Sequence, residues 1–116
     1  GHSFPTRRSS DLYRLTPVLT AAEALAAMEA ATEPFDVLLC DQCLPDLLGL
    51  ELIDLANQRG LIRRAVVLSG LNQEQLDALE RNANTRQLPL LGCLSKPLDV
   101  QALTELLAAS GFRKKA

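Results

Sequence analysis

The sequence predicts an α/β domain of the doubly wound kind, a parallel sheet with helices packed on both faces. Three observations lead there. Residues 35–40, 65–69 and 90–94 are short runs that are apolar on both faces, as strands buried inside a parallel sheet must be. Between and around them lie stretches with helical apolar spacing, and strands alternating with helices imply βαβ units. The chain of 116 residues has room for one domain, since domains run to about 100–150 residues.

Each element follows from its own residues. Residues 15–19 read as a strand. Thr20 then stands as an N-cap with Glu23 three residues on, the capping-box spacing, and Ala21, Leu25 and Met28 share one face of the helix that follows. Glu33 before Pro34 ends it, because a residue preceding proline is pushed out of the α region. Phe35, Val37, Leu38, Leu39 and Cys40 form the next strand. Past a polar loop at 41–46, Leu48, Leu52 and Leu55 with Ile53 and Ala56 mark a second helix, which Gly60 is placed to close. Residues 65–69 are a strand stopped by Gly70. Residues 72–82 are a more polar helix with a narrow face of Leu76 and Leu79. Residues 90–94 are a third buried strand, and 99–110 a last helix burying Val100, Leu103 and Leu107, capped by Gly111 and trailed by a short linker from 113.

Composition excludes several classes. Hydrophobic residues at 47% and charged residues at 22% do not fit a disordered, collagen-like or coiled-coil chain. No apolar run approaches the roughly 20 residues of a membrane-spanning helix, so a soluble protein without a membrane partner is expected. A formal net charge of −2 and 3% aromatics provide neither the basic footprint nor the stacking platform for direct nucleic-acid binding. Three cysteines, an odd number, do not make a secreted disulfide scaffold, and a reducing cytoplasm is expected.

The first residues stand apart. Residues 2–12, His-Ser-Phe-Pro-Thr-Arg-Arg-Ser-Ser-Asp-Leu, resemble the translation of a widely used sequencing adapter. They carry neither a 2-residue nor a 3.6-residue apolar period, so they show no face to bury. A natural flexible leader is the alternative. If 1–12 is foreign or disordered, the domain proper begins at Tyr13, and loss of Arg7, Arg8 and Asp11 moves the formal net charge from −2 to −3. His2, the single histidine, leaves with them, and no metal or triad is built on it.

In open parallel sheets the site lies outside the carboxyl ends of the strands. Asp41, Ser69 and Lys96 each stand at or just past the end of a buried run. A carboxylate, a hydroxyl and an ammonium at one sheet edge suit phosphoryl transfer onto the carboxylate: Asp41 as nucleophile, Ser69 bonding a phosphoryl oxygen, Lys96 offsetting its charge. Pro45 fixes φ in the loop after Asp41, and Gly49 permits a close backbone turn beside it.

The stretch Asp41-Gln-Cys-Leu-Pro45-Asp-Leu-Leu-Gly49 resembles the D-x-x-[LM]-P-x-x-x-G signature of bacterial two-component receiver domains. Ser69-Gly70 and Lys96-Pro97 fall where that family carries its switch Ser/Thr and its Lys-Pro. The resemblance covers residues 13–111. It implies a flavodoxin-like sheet of order 2-1-3-4-5, a phosphoryl group received on Asp41 from a histidine kinase or phosphotransfer protein, and Mg²⁺ held in part by Asp41 and the Cys43 main-chain carbonyl. It also implies that Ser69 and Lys96 move on phosphorylation and alter the face of the last strand and helix to control an output. The domain itself would then be a phospho-acceptor rather than an enzyme.

The chain departs from that pattern twice. Receiver domains need an acidic pair after their first strand, and none is in view. Only 28 residues, 13–40, separate the adapter-like segment from Asp41, where a βαβ unit takes about 30 or more. The first strand and first helix are therefore expected to be missing, the chain to be a fragment, its neighbouring strands to lack a ladder partner, and both stability and Mg²⁺ binding to suffer. The second departure is Cys93, close to where receivers often place an aromatic. The stretch 84–96 is similar to receivers joined to cyclic-di-GMP phosphodiesterase outputs.

Two other readings remain. Cys40-Asp-Gln-Cys43 is a C-x-x-C, the spacing of a thioredoxin-like redox pair. Against it, Cys40 lies within a buried run, and no helix opens on the pair to favour a thiolate. A pseudo-receiver, an interaction module that keeps the fold without phosphorylation, is the other.

Overall fold

The computed structural model describes residues 3–9, 12–15 and 18–109; Gly111 and the linker expected from 113 lie outside them, as does His2. In chain order the elements are β1 (Ser3–Ser9), β2 (Leu12–Leu15), α1 (Ala21–Ala30), β3 (Phe35–Asp41), α2 (Gly49–Gln58), β4 (Ile62–Ser69), α3 (Gln73–Thr85), β5 (Leu90–Ser95) and α4 (Val100–Ala109). The five strands form one sheet of order β2-β1-β3-β4-β5. β3, β4 and β5 run parallel. No helix among the described residues is long and apolar enough to cross a membrane.

The sheet is mixed, which corrects the expectation of a wholly parallel one. β1 lies antiparallel to both its neighbours, pairing Ser3 with Cys40 and Thr6 with Val37 on one side and Thr6 with Leu15 on the other. The stretch expected to have no face to bury therefore occupies an interior strand position, with Ser3, Pro5 and Thr6 buried. The expected gap beside β3 is absent from this arrangement, because the N–H and C=O groups of an exposed strand edge bond any extended backbone, whatever its side-chain period. Pro5 has no N–H to give to such a ladder, which is why a proline normally argues against an interior strand.

Alternation along the strands divides the core into two layers. Leu38 and Cys40 of β3 with Ala65 and Val67 of β4 face Ala24 and Met28 of α1, Leu52, Ile53 and Ala56 of α2, and Ala83 of α3. Val37, Leu39 and Val66 face the other way, against Leu107, Leu103 and Leu106 of α4. Helices thus cover both faces, three on one side and α4 alone on the other. Beside α4 a cavity of about 260 Å³ remains, walled by Phe4, Val37, Leu39, Leu103 and Leu107.

Most element ends follow local chemistry. Thr20 caps α1 by accepting the Glu23 N–H at 3.0 Å, and α1 ends at Ala30, before the proline-directed stop expected at Glu33. Asn72 and Gln75 form a reciprocal capping box at α3. Gly60 takes φ +68° after α2, a left-handed conformation that glycine adopts without steric penalty. Three expectations need correction. β2 ends at Leu15, where the strand expected over 15–19 would begin, and Val18 keeps only a bridge to Ser3. Leu48 is an exposed N-cap, and Leu50 takes the core place beside Leu52. Val100 opens α4 exposed rather than buried. In the two helix cases an end residue of an apolar period falls just beyond the surface its helix covers.

Ser3 carries the one buried side-chain oxygen among the described residues that has no hydrogen-bond partner. An unsatisfied buried hydroxyl costs about 1–3 kcal/mol. Ser3→Ala is therefore expected to raise stability by about 1 kcal/mol in urea unfolding; an unchanged or lowered midpoint would mean that β1 does not sit in the sheet as described.

Candidate functional site

Because β3, β4 and β5 are parallel, their carboxyl ends meet at one edge, and the strand register sets what meets there. Asp41 is the last residue of β3 and pairs with Leu68. Ser69 ends β4 and pairs with Ser95, the last residue of β5, so Lys96 follows directly. The Lys96 N–H donates to the Ser69 carbonyl at 2.9 Å, which extends the ladder by one bond past the strand ends. From there the Lys96 ammonium crosses the end of β4 and bonds Asp41 Oδ2 in an ion pair. The carboxylate side chain is only 8% exposed and the lysine side chain 44% exposed. The carboxylate is thus recessed, while the cation reaches it from the solvent side.

The second carboxylate oxygen, Asp41 Oδ1, accepts the Cys43 N–H at 3.2 Å. Ser69 is buried on the intervening strand, and its Oγ accepts the Leu71 N–H at 3.3 Å. The structure therefore brings Asp41 and Lys96 into contact and holds Ser69 between their strands. Pro45 and Pro97 are both exposed, and the Lys96–Pro97 peptide is cis.

The loop from Asp41 to α2 is fixed mainly by backbone bonds. The Gly49 N–H donates to the Gln42 carbonyl at 2.8 Å, and Cys43 bridges to Leu48. This folds Gly49 tightly over the end of β3: a Cβ there would lie 2.6 Å from the Asp41 carbonyl oxygen and 2.9 Å from Gln42 Cα. Both atoms are backbone and cannot turn aside, so only glycine fits this approach.

Two polar residues of the loop were not apparent from the sequence. Asp46 accepts the Ala21 N–H at 2.8 Å and the Ala22 N–H at 3.0 Å, so the acceptor loop is tied to the start of α1. Those two backbone bonds hold the Asp46 carboxyl below its ordinary range. Gln42 accepts the Leu50 N–H on its side-chain carbonyl at 3.1 Å. Neither contact has a local sequence signal, because the partners of Asp46 lie 25 and 24 residues away and Gln42 is not at a helix cap position.

The thiols lack the setting of a thioredoxin-like redox pair. Cys40 is buried with its Sγ 3.8 Å from the Gly49 carbonyl, and burial, followed by the Asp41 charge, pushes its thiol up to about 12. Cys93 is likewise pushed up to about 12, chiefly by burial, with Glu80 and Asp77 adding to it. Such thiols stay protonated and unreactive at neutral pH. Cys43 is exposed, but α2 begins six residues later at Gly49, so no helix start faces the pair.

The oxygen donors expected for Mg²⁺ from the resemblance are the Asp41 carboxylate and the Cys43 carbonyl. Among the described residues no group of three His, Cys, Asp or Glu side chains is gathered that could hold a metal ion. Mg²⁺ keeps several waters and is commonly held through one or two carboxylates, so Asp41 is the side chain that would hold it here. No protein-family model matches the chain, and no curated protein matches it.

Gly49→Ala is expected to lower stability by about 1–3 kcal/mol through overpacking against backbone, read as a lower urea midpoint; an unchanged midpoint would deny the close turn. Asp46 gives a pH test. Its carboxyl is depressed in the folded state, so its contribution is present above the unfolded-state value near pH 4 and is lost as pH falls through the folded one. Asp46→Ala should melt below the wild type at pH 6, with the gap closing towards pH 3. A gap that stays constant over that range would show that the carboxylate does not hold α1.

Proposed function

We propose that the chain is a receiver-type signalling domain of flavodoxin-like design, with Asp41 as phospho-acceptor, and that it takes its phosphoryl group from a histidine kinase or a phosphotransfer protein. The observation that carries the proposal is the recessed Asp41 carboxylate held by the Lys96 ammonium at the joint edge of β3 and β5, with Ser69 on the strand between.

In the step itself an oxygen of the Asp41 carboxylate attacks phosphorus of the donor phosphohistidine. The new P–O bond forms as the P–N bond breaks, the electron pair stays on the imidazole nitrogen, which takes up a proton, and Asp41 becomes an acyl phosphate. Lys96 offsets the negative charge that gathers on the transferring group, and the Cys43 N–H holds the acceptor in place. Ser69, once turned from Leu71, can donate its hydroxyl proton to a phosphoryl oxygen. Lys96 begins the connection to α4, so a change in its pairing bears on the β5 and α4 face, where an output such as a cyclic-di-GMP phosphodiesterase would be controlled.

A second reading, an interaction module that is never phosphorylated, is favoured by one observation: among the described residues no group of three or more His, Cys, Asp or Glu is gathered that could hold a metal. Labelling with acetyl phosphate decides between them. Wild type should gain a base-labile phosphoryl group, Asp41→Asn should stay at background, and Lys96→Met should be labelled about 100-fold more slowly. A folded wild type that takes no label, or equal label on Asp41→Asn, would overturn phospho-acceptance and leave the interaction module.

A further inference from the structure

We infer that Gln42 is a positioning residue for the acceptor: it locks the loop that aims the Cys43 N–H at Asp41 by capping α2 from across that loop. The inference rests on the phospho-acceptor reading of Asp41 and adds a residue that this reading does not itself supply.

α2 begins without a side-chain cap, because its N-cap is Leu48, which has no oxygen to offer. The first N–H groups of a helix nevertheless need acceptors. Gln42 meets both needs at once: its main-chain carbonyl takes the Gly49 N–H at 2.8 Å and its side-chain carbonyl takes the Leu50 N–H at 3.1 Å. Its own N–H donates to the Leu68 carbonyl at 3.2 Å, one residue before Ser69. The residue between Asp41 and Cys43 is therefore bonded on three sides, to β4 and twice to α2, and it is buried.

With Gln42 fixed, the next peptide has little freedom, and that peptide carries the N–H which bonds Asp41 Oδ1 at 3.2 Å. Removing the side-chain acceptor leaves the Leu50 N–H without its partner and frees the loop to open about Gly49, so the Cys43 N–H leaves the carboxylate. Gln42 touches no reacting atom; it acts through Cys43. A small misplacement of such a group lowers the rate of a transfer step without changing how much donor is bound.

Two variants of the full chain separate this role from mere support. Gln42→Met keeps the volume and removes the acceptor. Gln42→Glu keeps an acceptor oxygen, and its charge is favourable at a helix start. Amide exchange at Leu50 and the time course of acetyl phosphate labelling are measured for each. Gln42→Met should exchange Leu50 faster and show a maximal labelling rate about 10-fold lower at an unchanged half-saturating donor concentration, and Gln42→Glu should restore both. Equal maximal rates in wild type and Gln42→Met would overturn the inference. So would losses in both variants that track a lowered melting temperature. A wild type that takes no label speaks against phospho-acceptance instead; the exchange data then decide the tie alone, and Leu50 exchanging alike in wild type and Gln42→Met overturns it.

Discussion

The ion pair between Asp41 and Lys96 is the contact on which the rest of the site depends. A carboxylate almost closed off from water is unfavourable unless an opposite charge and hydrogen bonds compensate it. Here the compensation comes from the Lys96 ammonium on one oxygen and the Cys43 N–H on the other. The Cys43 bond is local, but Lys96 could not reach Asp41 without the parallel register of β3, β4 and β5, which ends the three strands level with one another. A slip of one residue in that register would turn Asp41 towards the opposite face and separate the pair. The apolar strands Val37–Cys40 and Ala65–Val67 thus act on function indirectly, by making only one register compatible with both core layers.

Around that pair, the loop after β3 is bonded to three further elements. Asp46 holds the first N–H groups of α1, Gln42 those of α2, and the Gln42 N–H is bonded to β4. Helix starts carry partial positive charge, so the acidic and carbonyl oxygens of this loop lie where they are favoured. A change in charge at Asp41 is therefore felt in a segment already bonded to two helices and a strand. Lys96 provides a second link, since it stands between β5 and the turn that leads into α4.

Much of this was legible before any coordinates. The three apolar strands, the cap at Thr20, the left-handed Gly60 and the placing of Asp41, Ser69 and Lys96 at strand ends all depend on local patterns of residue type, although β5, expected to be buried, lies at the sheet edge and is only partly covered. What was not legible depends on pairing between distant segments. β1 has no apolar period and contains Pro5, yet it lies antiparallel beside β3, because backbone groups at a strand edge accept any extended chain. Asp46 reads as one more loop carboxylate until α1 is seen to begin against it. Gln42 looks like filler between Asp41 and Cys43, and its role comes only from the return of the chain at Gly49 and Leu50. Leu48 and Val100 show the converse limit, where a correct apolar period extends one residue too far to be covered.

Phospho-acceptance at the end of β3 can be read at a single residue. Reduction of an acyl phosphate by borohydride converts the aspartyl residue that bears it to homoserine, a change that peptide mass spectrometry locates. After incubation of the chain with acetyl phosphate, the account requires homoserine at Asp41 and nowhere else. Homoserine at another carboxylate, with Asp41 untouched, would contradict it.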